Sequence, residues 1–208
     1  SPTFMTENNK MEKENPGRPA GTVGAKMLDR MNTSHEPIRS FGFPLLPWHD
    51  QMQILDVGCG GGAAIAEMLK LAPDSIIHGI DYSETSVEKS TELNKDFIGS
   101  RCFIRQADVT ALPFPDNSFD LITAVETVYL WPVIKAGFRE IHRVLNPSGT
   151  FAILNEGSDP DNIDWPEIDG FMKTYRPREL EDLLKECGFR TVKTEHGPEQ
   201  IICVMAQK

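Results

Sequence analysis

From Gln53 onward, short apolar runs alternate with longer segments of helical periodicity. In the helical segments apolar residues recur every three to four positions, so that Ile65, Met68 and Leu69 share one helix face. The apolar runs predict buried strands in QILDV, SIIHGI, RCFIRQA, FDLITAV and GTFAIL. Strands that alternate with helices are typical of the α/β class, here a doubly wound, Rossmann-like, mostly parallel sheet with helices on both faces.

The two ends of the chain depart from this alternation. Near the C-terminus, two alternating runs flank His196, Gly197 and Pro198 and predict a hairpin with antiparallel pairing at one edge of the sheet. Residues 1–20 are polar and predict a disordered tail, whereas residues 21–50 predict a helical cap or a mobile lid. We expect the main domain to span residues 51–208, with an acidic insert at 157–176 after the fifth strand.

Composition excludes some partners and leaves the chemistry open. Lys and Arg number 21 and Asp and Glu 31, which gives a formal net charge of −10. This charge argues against nucleic acid and anionic membranes as partners, and no apolar run reaches the roughly 20 residues that span a bilayer. The four cysteines lack CxxC spacing and the N-terminus lacks a signal-peptide pattern, so we expect a cytoplasmic protein. We also expect a monomer or a homodimer.

The loop after the first strand, VGCGGG, carries the first candidate chemistry. Gly58 and Gly60 permit a tight turn and let the backbone, including that of Cys59, approach a ligand. With Ala63 they also satisfy the GxGxx(G/A) pattern of dinucleotide sites. Asp56 argues against a dinucleotide, because its carboxylate would repel a pyrophosphate. The same carboxylate would attract a ligand that carries an ammonium or sulfonium group.

Acidic residues also follow the next three strands. Asp81 lies 23 residues beyond Gly58 and can accept both hydroxyls of a ribose, although an Asp or Ser here could instead cap the next helix. Tyr82 could pack on an adenine face. Asp108 and the Val109 backbone could contact an adenine edge, or Asp108 could simply stabilise a turn. Glu126 follows the fourth strand and faces the same crevice.

The segments ILDVGCGGG, HGIDYS, RQADVTALPFPDNSFDLITAVET and FREIHRVLNPSGTFAIL resemble successive motifs of class I S-adenosylmethionine-dependent methyltransferases. The likeness is greatest to the small-molecule branch that includes the quinone-biosynthesis type. It implies a seven-stranded sheet whose last strand is antiparallel, with S-adenosylmethionine as cofactor and S-adenosylhomocysteine as product. The cofactor-binding residues that it implies, together with those inferred above, are Asp56, Gly58, Cys59, Gly60, Asp81, Tyr82, Asp108, Val109 and Glu126.

The expected reaction is in-line transfer of a methyl group to a small molecule, which requires alignment and exclusion of water more than acid–base chemistry. Candidate catalytic residues are His35, Glu126 and Tyr129, each of which could instead be structural. Many relatives have a His pair where this chain has Glu126-Thr127-Val128-Tyr129, so the acceptor is not implied. No two His or Cys residues have metal-ligand spacing, so we expect no metal site. The alternative functions are an NAD-dependent oxidoreductase and a non-catalytic nucleotide-binding module on the same fold.

Overall fold

A computed structural model describes residues 20–156 and 173–208, and within them seven strands form a single sheet. The strands are β1 (Gln53–Val57), β2 (Ile76–Asp81), β3 (Cys102–Gln106), β4 (Phe119–Val125), β5 (Leu145–Glu156), β6 (Thr191–His196) and β7 (Ile201–Gln207). The α-helices are α1 (Gly21–Ser34), α2 (Glu36–Gly42), α3 (Ala63–Leu71), α4 (Glu84–Leu93), α5 (Ile134–Val144) and α6 (Pro177–Glu186). The predicted tail, up to residue 19, and most of the predicted insert lie outside the described residues.

The strand order is β3-β2-β1-β4-β5-β7-β6, which confirms the doubly wound α/β architecture. Strands β1 to β5 are parallel, whereas β7 runs antiparallel to both β5 and β6. The predicted hairpin is therefore present, but its antiparallel strand lies inside the sheet and β6 forms the edge. The order reverses between β1 and β4, where α/β sheets open a crevice at the carboxyl ends of their strands.

Hydrophobic side chains cover both faces of the sheet. One core contains the fully buried Phe119, Phe138 and Phe151, and the other contains Ile54 and Met68. Strand β5 is longer than the GTFAIL run predicts, because it also includes Leu145 to Ser148. Its pairing with β4 shifts register within that extra stretch. Because both faces are covered, the edge formed by the carboxyl ends of the strands is left for a ligand.

The N-terminal helices pack onto this framework. Helix α1 ends at Ser34, and Pro37 occupies the first turn of α2, where its missing N–H costs no hydrogen bond. Helix α2 lies on β5 and β7, and Gly42 approaches the Leu154 side chain too closely to tolerate a Cβ atom. Helix α1 extends from α2 to α4, where Asp29 pairs with Lys89 at 2.9 Å. This arrangement lays α1 across the carboxyl ends of the central strands.

Cysteines, apolar helices and metal-binding side chains were also considered in the sequence, and the structure shows where the described ones lie. All four cysteines are buried free thiols. Within residues 20–156 and 173–208, no helix is both long and apolar enough to cross a bilayer. The same residues contain no group of three His, Cys, Asp or Glu side chains placed to hold a metal ion.

Candidate functional site

A cavity of about 390 Å³ opens at the carboxyl ends of β1, β2 and β4, under helix α1. Its volume falls within the range of small-molecule and cofactor sites. It brings together all nine residues predicted to bind a cofactor, although they follow four different strands. The predicted residues that line it are His35, Asp56, Gly58, Cys59, Gly60, Asp81, Tyr82, Asp108, Val109 and Glu126.

The loop after β1 forms the floor of the cavity through backbone geometry. Gly58 and Gly60 have φ of +72° and +52°, in the left-handed region that favours glycine. The Gly58 and Cys59 N–H groups both donate to the Ile80 carbonyl, at 2.9 and 3.0 Å. A Cβ atom at Gly58 would overlap Thr127 Oγ1 and lie 2.9 Å from Thr127 Cβ. The loop is therefore fixed between the end of β2 and the corner that follows β4.

Asp81 faces the cavity from the end of β2 and is 8% exposed. Its two carboxylate oxygens accept hydrogen bonds from the N–H groups of Gly60 and Ser83, each at 2.9 Å. Burial raises the pKa of Asp81, and these backbone bonds oppose the rise. The capping role belongs to Ser83, whose hydroxyl accepts the Ser86 N–H at 3.2 Å. Asp81 is thus held in place by the glycine loop and stays directed at the ligand space.

Asp56 lies deeper, at the end of β1, with 2% exposure. Thr123 on β4 donates its hydroxyl to Asp56 Oδ1 at 2.7 Å. Burial raises the pKa of Asp56 to about 7, against the opposing effects of the Thr123 bond and the positive charge of Arg39. The ionised form of such a buried carboxyl group is stabilised by a ligand that brings a positive charge.

Asp108 and Tyr82 form the outer wall and are both exposed. Asp108 Oδ1 accepts from the Thr110 N–H at 2.9 Å and from the Thr110 hydroxyl at 2.8 Å. This is the turn geometry that the sequence left open as the alternative for Asp108. Because both bonds use Oδ1 and Asp108 lines the cavity, the turn also presents the carboxylate to a ligand.

Glu126 is 5% exposed and has φ of +52°, an uncommon conformation for a residue other than glycine. Its Oε1 accepts the Glu156 backbone N–H, and the Tyr129 hydroxyl also bonds to the carboxyl group. Burial raises the pKa of Glu126 to about 7. Tyr129, predicted as a catalytic candidate, is buried and does not line the cavity. The structure therefore places Tyr129 behind Glu126, because the left-handed turn redirects the chain after β4.

The N-terminal helices contribute polar residues that the sequence analysis did not identify. Asn32 on α1 accepts the Ala63 N–H at 3.4 Å and donates to the Gly61 carbonyl at 3.3 Å, which ties α1 to the glycine loop. Arg39 on α2 also lines the cavity. Asn32 lies four residues after Leu28, so helical periodicity alone would have placed both on one face. No sequence signal distinguishes Arg39.

His35 connects α1 and α2 at the cavity wall. Burial, together with the smaller effect of the neighbouring positive charge of Arg39, lowers the pKa of His35 to about 4. Its imidazole is therefore neutral at neutral pH and adds no positive charge to the site.

Comparison with known proteins places this site in a family. Residues 55–153, which run from within β1 to within β5, match the protein family described as "Methyltransferase domain". A cycloartenol-C-24-methyltransferase from Arabidopsis thaliana is 30% identical over 152 residues, which cover 67% of this chain and 45% of that protein. The chain belongs to the class I S-adenosylmethionine-dependent methyltransferases. Its cofactor is S-adenosylmethionine, as the motifs imply.

Other relatives agree with this methyltransferase assignment. A sterol 24-C-methyltransferase from Neurospora crassa is 32% identical over 122 residues, which cover 56% of this chain and 32% of that protein. The chain thus spans less than half the length of these two curated relatives.

Solved structures share the fold of this chain. One is a putative methyltransferase in complex with the Haloferax volcanii Trm112 activator, with TM-score 0.77, 16% identity, and coverage of 88% of this chain and 93% of that one. Another is a SAM-dependent methyltransferase from Aquifex aeolicus, with TM-score 0.72, 19% identity, and coverage of 86% and 97%.

Proposed function

We propose that this protein transfers the methyl group of S-adenosylmethionine to a small-molecule acceptor. The observation that carries the proposal is that one cavity brings together Asp56, Gly60, Asp81 and Asp108, from the ends of three strands and the glycine loop. Bound S-adenosylmethionine supplies a methyl group on a positively charged sulfur. The protein's contribution is to hold that group, align the acceptor and exclude water.

Each of these residues has a proposed contact. The glycine-loop backbone at Gly58 to Gly60 approaches the ligand, with the Cys59 side chain packed beside it. Asp81 accepts the ribose hydroxyls, in a position fixed by the Gly60 N–H. Asp56 lies near the amino end of the methionine moiety. At the outer wall Asp108 and Val109 bind the adenine edge, and Tyr82, which is 51% exposed, packs on the adenine face.

The remaining cavity wall supports an acceptor with an apolar body. Its side chains are mostly apolar and come from α1 and the corner after β4: Met31, Leu130, Trp131 and Pro132. Helix α1 acts as the cap over this region. Such a wall excludes water from the methyl-transfer step.

Glu126 is the group proposed to receive a proton if the acceptor carries one, and His35 is proposed to accept a hydrogen bond from that acceptor. Neutral His35 can accept a hydrogen bond without placing a positive charge beside the sulfonium. Glu126 is held by the Glu156 N–H and by Tyr129, so Tyr129 acts as a positioning residue rather than a catalytic one.

The acceptor class is tested with S-adenosylmethionine that carries an isotopically labelled methyl group. The protein is incubated separately with the low-molecular-mass fraction of a cell extract and with added protein and RNA from that extract, and labelled products are detected by mass spectrometry. We expect label in a small molecule, and much less with Asp81→Asn. Label found only in added protein or RNA would overturn the small-molecule assignment.

The NAD-dependent alternative has less support. The family match and the curated relatives are methyltransferases, and Asp56 in the cavity would oppose a pyrophosphate. The expected location and oligomeric state stay predictions.

A further inference from the structure

The cavity is unbalanced in charge. Four carboxyl side chains line it: Asp56, Asp81, Asp108 and Glu126. Among the described residues that line it, Arg39 alone carries a permanent positive charge. S-adenosylmethionine, the ligand of the proposed function, has a carboxylate at the end of its amino-acid tail, and none of the four acidic side chains attracts that group.

Arg39 is 6% exposed and is held by two neighbours. Its Nε donates to Glu67 Oε1 at 2.7 Å, and Nη2 donates to the Asn32 carbonyl at 3.0 Å. A guanidinium carries five N–H donors, so among the described residues these bonds leave donors available to a ligand. Burying a guanidinium is costly unless its donors are used, and Glu67 itself is 38% exposed.

The position of Arg39 is fixed by its helix. On α2, Gly42 packs against Leu154 of β5, and Phe41 packs against Gly197 in the hairpin. Arg39 is also close enough to Asp56 to oppose the rise in the pKa of that carboxyl group. Arg39 and Asp56 thus place a basic and an acidic side chain in the same cavity. That pair matches an amino acid, which carries an ammonium and a carboxylate on one carbon.

We infer that Arg39 binds the carboxylate of the methionine moiety of S-adenosylmethionine while Asp56 binds its ammonium. This inference rests on the proposed function and assigns a residue outside the strand-end motifs. Arg suits this role because its planar donors match the two oxygens of a carboxylate. Arg39 also donates to the Asn32 backbone carbonyl in the last turn of α1, and it would therefore connect this cap to the bound cofactor.

A structural role is the competing explanation. Arg39 would then serve only to fasten α1 and α2 to α3 through Glu67, and its loss would weaken every ligand equally. Two probes separate these roles: S-adenosylhomocysteine, which has the amino-acid tail, and 5′-methylthioadenosine, which lacks it. Their dissociation constants are measured by calorimetry for wild type, Arg39→Met, Arg39→Lys and the control Glu67→Gln.

We expect Arg39→Met to weaken S-adenosylhomocysteine binding about 10- to 100-fold, the usual effect of losing a charge-assisted hydrogen bond. Binding of 5′-methylthioadenosine should change by less than about threefold, because the lost contact is to the tail. Arg39→Lys should lie between wild type and Arg39→Met, since lysine keeps the charge without the planar donor pair. Glu67→Gln removes the ion pair but keeps Arg39, so the ratio of the two affinities should stay near that of wild type.

Equal weakening of both probes by Arg39→Met, or the same change of ratio in Glu67→Gln, would overturn the inference. If Arg39→Met does not fold, the ratio in Arg39→Lys decides, and an unchanged ratio counts against the carboxylate contact. A wild-type protein that binds 5′-methylthioadenosine as tightly as S-adenosylhomocysteine would contradict the inference alone. A wild-type protein that binds neither would contradict the proposed function itself.

Discussion

Replacement of Gly58 by Ala tests the packing that fixes the glycine loop. Two costs combine at this position. The left-handed φ of +72° costs an L-residue about 1–2 kcal/mol. The added methyl group also overlaps Thr127 Oγ1, and such overpacking typically costs about 1–3 kcal/mol. We therefore expect Gly58→Ala to lower the free energy of unfolding by about 3 kcal/mol.

Gly99 provides a matched control. Its φ is +86°, but a Cβ atom there would meet nothing within 4 Å. Gly99→Ala should therefore show only the backbone cost, about 1 kcal/mol. Unfolding in urea gives the free energy of each variant by linear extrapolation. The difference between the two variants, about 2 kcal/mol, then measures the clash with Thr127.

A double-mutant cycle identifies the partner in the clash. Thr127→Ala removes the Oγ1 and Cγ2 atoms that the new methyl group would meet, although it also removes the acceptor of the Trp131 Nε1–H bond. In this background Gly58→Ala should cost about 1 kcal/mol less than in wild type. Equal costs for Gly58→Ala and Gly99→Ala, or strict additivity in the cycle, would refute the packing of the loop against the corner after β4.

Two further predictions concern Asp56 and Arg101. Because the pKa of Asp56 is raised to about 7, binding of a cationic ligand releases a proton below that pH. The affinity for S-adenosylmethionine should thus rise between about pH 5.5 and about pH 7.5, by at most about tenfold per pH unit. Calorimetry should find a flatter profile in Asp56→Asn and for adenosine, and an equally steep profile in Asp56→Asn would contradict this role. Arg101 donates to the Leu69, Ala72 and Ser75 carbonyls at the end of α3, so Arg101→Ala should cost about 2–3 kcal/mol in urea unfolding. Lys89→Ala, which removes a surface pair, should cost less than about 0.5 kcal/mol, and equal costs would contradict the capping role of Arg101.

The sequence predicts β1, β2 and β4 closely because they are apolar runs with side chains mostly buried on both faces. The first strand, for example, has the same limits in the sequence and in the structure, Gln53–Val57. The cavity residues after the strands follow from the same pattern, since the carboxyl ends of parallel strands meet at one edge. Asp81 is an example, because its place as the last residue of β2 is enough to direct it to that edge.

Residues whose positions depend on distant contacts were not predictable in this way. Arg39 reaches the cavity because α2 docks on β5 and β7, a contact that no local pattern records. Thr123 points to Asp56 only through the pairing of β4 with β1. Tyr129 shows the opposite case, since it was expected in the cavity and does not line it. Its sequence position beside Glu126 suggested the cavity, but the left-handed conformation of Glu126 turns the chain and buries Tyr129 behind it.

The central claim is that this cavity binds S-adenosylmethionine, and calorimetric titration with S-adenosylhomocysteine tests it most directly. Wild type should bind S-adenosylhomocysteine and not NAD. Asp81→Asn should weaken binding about 10- to 100-fold, since it replaces a charged acceptor of the ribose hydroxyls. The control Asp96→Asn, at an exposed carboxylate, should bind as wild type does. Folded wild-type protein that does not bind S-adenosylhomocysteine, or an Asp81→Asn variant with unchanged affinity, would contradict the account.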